Sequence, residues 1–391
     1  MKEKKKTNVM VLFLKEISAF YRFFLKTSKT EKTIIFYAEH EGYYPNFEGL
    51  INKLIDEHKQ TLCYVTSSPY DPILKTLEPK IKTFYLNRFL PFFMMFVNCK
   101  IFVMTMPDLH QFHLKRSINP VHYIYVFHCL FSTHMIYRYG AFDHYDSILC
   151  VGAHQVKEIR KHEELNQLPP KRIVEAGYYR LERIYKAYLE YIPKKSPSTT
   201  EGIVLIAPSW GDANILESCG ERLINILLKA QYEVIVRPHP ETVRRSPALI
   251  SMLSSKFGNH PHFTLERTVI SDDSLLQADI LISDCSGITF EYAFGTEQPV
   301  LFIDVPLKIK NQRFQELGIE PLEITLREEI GVIVSPKNLE EIPQIASDLM
   351  ARKTFYKKRL VELRRKNVYA FGKSAEIGAQ YIIDLLKEKN Q

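Results

Sequence analysis

Short runs dense in Val, Ile, Tyr and Phe alternate along the chain with longer stretches whose apolar positions recur at helical spacing. The runs Thr33–Ala38, Thr61–Thr66, Ile81–Leu86, Lys100–Thr105, His122–His128, Ser147–Val151 and Arg172–Ala176 read as strands. Strand alternating with helix predicts a parallel sheet covered on both faces. Tyr191 to Gly202, rich in Pro, Ser, Thr and Lys, then interrupts the pattern and reads as a linker. Beyond it the alternation restarts with Ile203–Ala207, Glu233–Arg237, Ile280–Ser283, Val300–Asp304 and Val332–Ser335, interleaved with helical stretches such as Glu217–Lys229 and Leu339–Met350. The expected fold is α/β, with two doubly wound, Rossmann-like parallel-sheet units facing a cleft: residues 1–190, a linker at 191–202, and residues 203–391. A C-terminal helix is expected around Ser374–Lys387.

A chain of 391 residues exceeds the usual size of one core, which agrees with two units. An apolar fraction of 46% and a charged fraction of 25% exclude collagen, coiled coil and largely disordered classes. The longest apolar run, Phe89–Val97, contains Pro91 and falls far short of the roughly 20 residues a spanning helix needs. Lys2, Lys4, Lys5 and Lys6 before Val9–Leu14 resemble the start of a signal peptide, but Lys15 and Glu16 end the apolar stretch, so export is not expected. Six well-separated cysteines form no CxxC pair, which fits reduced thiols and excludes a zinc knuckle or dithiol redox motif. The net charge of +7 could serve nucleic acid, an anionic membrane or a phosphorylated substrate; no Arg-rich tract, zinc-finger spacing or aromatic RNA-binding signature accompanies it, and charge alone does not choose the partner.

Three segments carry candidate chemistry. In Tyr232–Glu241 a strand runs into Arg237-Pro-His239-Pro, at the strand end where open parallel sheets bind ligands. Arg237 and His239 would suit a phosphate, or the segment is a Pro-rich surface turn. In Ala278–Tyr292 a strand ends at Ser283-Asp284 and a helix begins near Ser286. The helix start, with Ser286, Gly287 and Thr289, suits a diphosphate, and Glu291 a ribose; the alternative is plain helix capping by Asp284 or Ser286. In Tyr123–His134 a strand delivers His128, and an imidazole is a competent base for an alcohol near neutral pH. His134, His144 and His154 lie at spacings that match no compact metal-ligand pair, so no metal is expected.

Together these segments resemble the CDP-glycerol glycerophosphotransferase family of teichoic-acid and related cell-surface polymer synthesis, over roughly residues 120–385. Phe127-His128-Cys129 is similar to the family's Trp-His-Gly-Thr stretch, and Gly177-Tyr-Tyr-Arg180 to its Gly-x-Pro-Arg turn. Ala207-Pro-Ser209-Trp210 is similar to its Ala-Pro-Thr-Trp element, and Arg237-Pro-His-Pro240 repeats another element. Ser283 to Gly287 resembles its Ser-Asp-x-Ser-Ser helix start, and Gly372-Lys-Ser-Ala-Glu376 its closing pattern. Three departures stand out: Cys129 for Gly, Tyr179 for Pro and Gly287 for the second Ser.

The resemblance implies a GT-B fold and transfer of glycerol phosphate, or a related alditol phosphate, from CDP-glycerol or a similar CDP-activated donor. The acceptor would be a hydroxyl of a glycan or lipid-linked polymer, and CMP would be released. A GT-B glycosyltransferase using a nucleotide sugar is the alternative, and a non-catalytic binding protein a third. His128 would be the general base and His239 would act on the donor side. Arg237, Ser286 and Thr289, with Ser283, Asp284, Gly287, Ser209 and Arg180, would surround the donor, and Glu291 would meet its ribose. The first unit would face the acceptor and the second the nucleotide. No cofactor or nucleic-acid partner is implied. Lys15, Ser18, Arg22 and Lys26 share one helical face while Leu12, Phe13, Phe20, Phe23 and Phe24 give an apolar one. Either this helix packs on its own sheet or, with the Lys-rich start, it holds a cytoplasmic protein peripherally on the inner face of the membrane.

Overall fold

The computed structural model describes residues 9–195, 200–211, 213–267 and 271–389. The chain divides into two compact units. The first comprises the chain up to His128, Tyr137–Tyr179 and the stretch from Tyr369 onward; the second comprises Cys129–Ile136 and Arg180–Val368.

In the first unit, strands β1 (Ile34–Ala38), β2 (Leu62–Thr66), β3 (Ile81–Tyr85), β4 (Ile101–Met104), β5 (His122–Val126), β6 (Ser147–Cys150) and β7 (Arg172–Glu175) form one sheet in the order β3-β2-β1-β4-β5-β6-β7. Every pairing is parallel, with Ile35 opposite both Cys63 and Phe102. Residues of β1, β2 and β4 are buried throughout, as a sheet covered on both faces requires. That is why these strands appear in the sequence as continuous apolar runs and not as alternating ones.

The second unit repeats the plan. Strands β8 (Ile203–Ile206), β9 (Glu233–Val236), β10 (Phe263–Leu265), β11 (Ile280–Ser283), β12 (Val300–Ile303) and β13 (Gly331–Val334) are ordered β10-β9-β8-β11-β12-β13, again all parallel. Strand order reverses at β1/β4 in one sheet and at β8/β11 in the other. Loops leaving the C-terminal ends of two neighbouring strands diverge there, which opens a crevice for a ligand.

The division of the chain differs from the expected one in three places. The helix Ser374–Glu388 belongs to the first unit, where Ala379, Ile382 and Leu385 join the core built by Phe47, Leu50, Ile51 and Leu54 of the helix Tyr44–Asp56. Burying side chains the size of Ile382 and Leu385 contributes about 1.5–3 kcal/mol each, which favours bringing this helix back across the sequence. The helix Tyr179–Tyr191 carries the transition to the second unit, so the change falls at 179/180 and not within 191–202. Of that expected linker, residues 196–199 lie outside the described residues. Cys129–Ile136 joins the second unit because its polar groups are satisfied there. Buried Glu323 accepts from the Ser132 N–H at 2.9 Å and its hydroxyl at 2.7 Å, and the His134 ring bonds the Ile319 carbonyl at 2.9 Å.

Two of the sequence motifs meet in the first unit at Gly177. Gly177 adopts φ +87°, and a Cβ there would collide with the Tyr369 carbonyl oxygen and lie 3.2 Å from the Ser374 Cβ. The Gly-x-x-Arg turn and the closing Gly-Lys-Ser stretch therefore dock on each other, with the Tyr369 N–H bonded to the Val151 carbonyl at 2.7 Å. Gly177→Ala should destabilise the fold by at least about 2 kcal/mol, from left-handed strain plus the clash, read as a lowered urea midpoint with unchanged slope.

Candidate active site

At the reversal point of the second sheet, the loops after β8 and β11 are tied by one buried acceptor. Oδ1 of Asp284, 1% exposed, accepts the Ser209 N–H at 2.7 Å, and Ser283 Oγ donates to the Ala207 carbonyl at 2.7 Å. Burial raises the Asp284 carboxyl above its ordinary pKa, against the lowering effect of the Ser209 hydrogen bonds. Among the described residues its Oδ2 has no hydrogen-bond partner. Ser283, expected at the substrate, is fully buried and acts as a strap between the strand ends.

The helix Ile288–Thr296 starts directly after this strap. Gly287 precedes it with no side-chain cap, and Ser286 and Gly287 are only half-buried. The Thr289 N–H bonds the Ser286 carbonyl at 3.0 Å, and the other N–H groups of the first turn of this nine-residue helix lie at the crevice, the arrangement that binds anions. Thr289 is placed differently from the sequence expectation, since its hydroxyl donates to the Ser286 carbonyl at 2.8 Å and the residue is 2% exposed. It shapes the turn that presents Ser286.

His239 follows β9 and caps the short helix Pro240–Arg245: its Nδ1 accepts the Glu241 N–H at 3.1 Å. An acceptor at Nδ1 places the proton of the neutral ring on Nε2, so Nε2 is a donor. Arg237, two residues earlier, is 3% exposed and turned to the protein. Its guanidinium donates to the Ser271 carbonyl at 2.7 Å and the Ser274 hydroxyl at 3.3 Å, and lies 3.7 Å from Glu266. Instead of sitting beside His239 with a phosphate between them, Arg237 braces the loop that carries His239.

Glu291 and Arg180 are likewise joined. Arg180 Nε lies 3.1 Å from both Glu291 oxygens, and its Nη2 bonds Asp272 at 3.0 Å, while Arg183 reaches the same Asp272 at 2.6 Å. These groups are mostly buried, so removing one partner strands a charge. Both residues were expected at the substrate; the structure pairs them with each other.

In the first unit, His128 is half-buried just beyond β5. Its backbone carbonyl accepts the Tyr178 hydroxyl at 2.8 Å, and its ring stands edge-on to Tyr43 at 5.2 Å and to Tyr137 at 6.1 Å. His40, after β1, lies 4.4 Å from the Tyr43 ring and accepts the Gly42 N–H. The sequence reading missed His40 and Tyr43. The signal was present, because Glu39-His-Glu-Gly-Tyr43 is a polar cluster immediately after a buried strand. His134 belongs to the second unit and His144 and His154 to the first, and no group of three or more potential metal ligands occurs among the described residues. A cavity of about 700 Å³ opens at the opposite edge of the first sheet, by His122, Asp146 and Arg172. Arg116 and Arg172 there are already paired with Asp146 and Glu388. It sits at the N-terminal ends of β5–β7, the wrong edge for a ligand site of this fold.

A model of the family described as CDP-glycerol:poly(glycerophosphate) glycerophosphotransferase matches residues 19–309, well over half of the sequence. The chain belongs to this family. The match begins a hundred residues before the resemblance noted in the sequence and ends before the closing motif. No curated protein sequence matches. Among solved structures, a variant of the wall teichoic acid polymerase TagF aligns with TM-score 0.63 and 14% identity over 98% of this chain and 100% of the other. A TagF structure soaked with CDPG aligns with TM-score 0.62 and 15% identity over the same shares. The glycotransferase of kitacinnamycin aligns with TM-score 0.51 and 12% identity, over 90% and 98%. At these identities the likeness concerns the fold, which is GT-B, and the family match makes the protein a glycerophosphotransferase-type enzyme that uses CDP-glycerol.

Two of the departures from the family pattern face each other. A Cβ built on Gly287 would lie 3.2 Å from the Cβ of Cys129, closer than side-chain carbons normally approach. The chain has exchanged a small residue at 129 for one at 287, so the position that carries a side chain has moved across the contact. Gly287→Ser alone should lower stability and donor affinity, whereas adding Cys129→Gly should restore most of both. A double-mutant cycle by thermal melt is expected to give about 0.5–2 kcal/mol of coupling.

Proposed function

We propose that the enzyme transfers glycerol phosphate from CDP-glycerol to a hydroxyl of a cell-surface glycan or lipid-linked polymer of the teichoic-acid type, with release of CMP. The observation that carries this reading is the set of half-buried donors at the β8/β11 reversal, in a chain of the glycerophosphotransferase family. The acceptor oxygen attacks the phosphorus bearing glycerol, its proton passes to His128, and the bond from that phosphorus to the bridging oxygen breaks to leave CMP. Catalysis of this kind rests chiefly on fixed donors that meet charge on phosphate oxygens.

On this reading the second unit holds the donor. Ser286, the N–H groups following it, Ser209 and Nε2 of His239 meet the diphosphate. Arg237, Ser283, Asp284, Gly287 and Thr289 set the loops, and the Arg180–Glu291 pair borders the ribose. The first unit provides His128 for the acceptor, oriented by the Tyr178 bond to its carbonyl and by the Tyr43 and Tyr137 rings. Calorimetry should therefore give tighter binding of CDP-glycerol than of UDP-sugars; equal affinity would favour a sugar nucleotide and a glycosyltransferase. His128→Ala should lower CMP release about 100- to 10,000-fold with donor affinity nearly unchanged, whereas His239→Ala should lower both. Normal turnover in His128→Ala would remove the base from the scheme.

We further propose that the protein works at the inner face of the cell membrane, from the cytoplasm. No helix among the described residues is long and apolar enough to cross a bilayer. The helix Val9–Tyr21 packs inward through buried Glu16, which accepts the Asn87 N–H at 2.8 Å and the Phe89 N–H at 3.1 Å; Phe23, just beyond it, packs on Phe93. Its outer face leaves Met10, Leu14 and Ile17 exposed, next to the helix Leu90–Phe96 with exposed Phe92 and Phe96. Packing and membrane contact thus use opposite faces of one helix. Lys2, Lys4, Lys5 and Lys6 lie outside the described residues; each basic group near an anionic surface adds about 1 kcal/mol. Deleting residues 1–26 should abolish sedimentation with anionic vesicles, and unchanged sedimentation would refute the assignment.

A further inference from the structure

Beyond β12 the chain carries a lysine that no motif marks. Lys308 is half-buried, and its ammonium stands 3.1 Å from the ring centroid of Trp210, the residue after Ser209. Arg245 lies 4.7 Å from the same ring, and the His239 ring 6.1 Å from it. Arg245 is already engaged, since its Nε bonds Glu241 at 2.7 Å, and Arg244 holds the other side of that carboxylate. Among the described residues no carboxylate lies within ion-pair distance of the Lys308 ammonium. Among the described residues this partly desolvated cation is held by an aromatic face and is paired with no counter-charge.

We infer that Lys308 and Trp210 form a phosphate-responsive latch: the indole holds the ammonium when the site is empty, and the diphosphate of the donor draws it off the ring. The inference rests on the donor reading above and names a residue that reading does not contain. A charge-assisted bond to phosphate is stronger than a cation–π contact, so the exchange favours the ligand. The groups that face the lysine act in both directions. Burial, Lys310 and Arg245 depress its pKa to about 8, while Asp284 and Glu241 act weakly the other way, and the His239 ring adjoins the indole. An arriving diphosphate restores the charged form and raises that value.

Trp210 is the single tryptophan of the chain, so its fluorescence reports this one site. In the ligand-free protein the emission should follow a proton release centred near about 8. Inorganic pyrophosphate or CDP should move the midpoint up by about one unit, the shift that corresponds to tenfold tighter binding by the charged form. Lys308→Met should abolish the transition and weaken CDP binding about 10- to 100-fold, with cytidine binding unchanged. Lys308→Arg, which keeps the charge but does not titrate in this range, should abolish the transition and retain CDP affinity. A midpoint that pyrophosphate does not move, or wild-type CDP affinity in Lys308→Met, would overturn the latch. So would a midpoint moved by a glycerol phosphate oligomer but not by CDP, because the lysine would then serve the acceptor. If pyrophosphate moves the midpoint but UDP-sugars bind better than CDP-glycerol, the latch stands and the choice of donor falls.

Stability gives a second readout. A lysine whose pKa is lower folded than unfolded makes folding less favourable while it is charged, and stability rises with pH between about 8 and the ordinary lysine value. Lys308→Met should therefore raise the melting temperature at neutral pH, and the gain should vanish above that window. Absence of any gain at neutral pH would mean that the ammonium is already compensated, contrary to the inference.

Discussion

The bond from the Ser209 N–H to buried Asp284 is the constraint on which the second unit's chemistry depends. Strands β8 and β11 are neighbours, but the loops leaving them turn to opposite faces of the sheet, and nothing in the ladder itself fixes the gap between those loops. One carboxylate oxygen at 2.7 Å closes it, with the Ser283 hydroxyl bonded to Ala207 beside it. A buried carboxylate is costly to desolvate, and the raised pKa of Asp284 expresses that cost. What it secures is position: Ser209 and Trp210 on one side and the start of the helix Ile288–Thr296 on the other are set relative to each other by these two short contacts.

The two histidines illustrate how similar sequence surroundings lead to different local physics. Both follow a buried strand, yet His239 has Nδ1 fixed by the backbone N–H of Glu241, which decides the tautomer and makes Nε2 a donor. His128 is held through its backbone, by the Tyr178 hydroxyl on its carbonyl, and its ring stands edge-on to Tyr43 and Tyr137. A ring fixed as a donor at Nε2 suits a phosphate.

Most of the fold was legible because a parallel sheet covered on both faces leaves uninterrupted Val and Ile runs. Strand β10 escaped because only Phe263–Leu265 belong to it, behind His260-Pro-His262. The path of the chain between units was not legible at all. Nothing local in Ser374–Glu388 says that its apolar face meets Leu50 and Phe47 rather than the strands that precede it in sequence. The site was legible as a set of strand ends, but not in which side chains are left to meet a ligand. Arg237 precedes Pro-His-Pro and reads as exposed, whereas Ser271, Ser274 and Glu266, which receive its guanidinium, are separated from it by two helices and a strand. Lys308 carried no signal because its significance lies in the absence of a partner, which only the folded chain reveals.

These placements divide the polar residues of the second unit into two layers with opposite requirements. Arg180, Arg183 and Arg237 face Asp272, Glu291 and Glu266 in a buried network whose charges compensate one another, and such a network holds its geometry because breaking any one pair strands the rest. Nearer the strand ends, the charges among the described residues do not balance: Glu241 is shared by two arginines, and Lys308 stands against an indole with no carboxylate in ion-pair reach. Rigidity in the inner layer and an unmet positive charge in the outer one serve a single end, since a phosphate gains most from a cation that is already in place and has no other anion to leave. The exchange of side chains between Cys129 and Gly287 fits the same logic. It keeps one side chain at a contact too close to hold two.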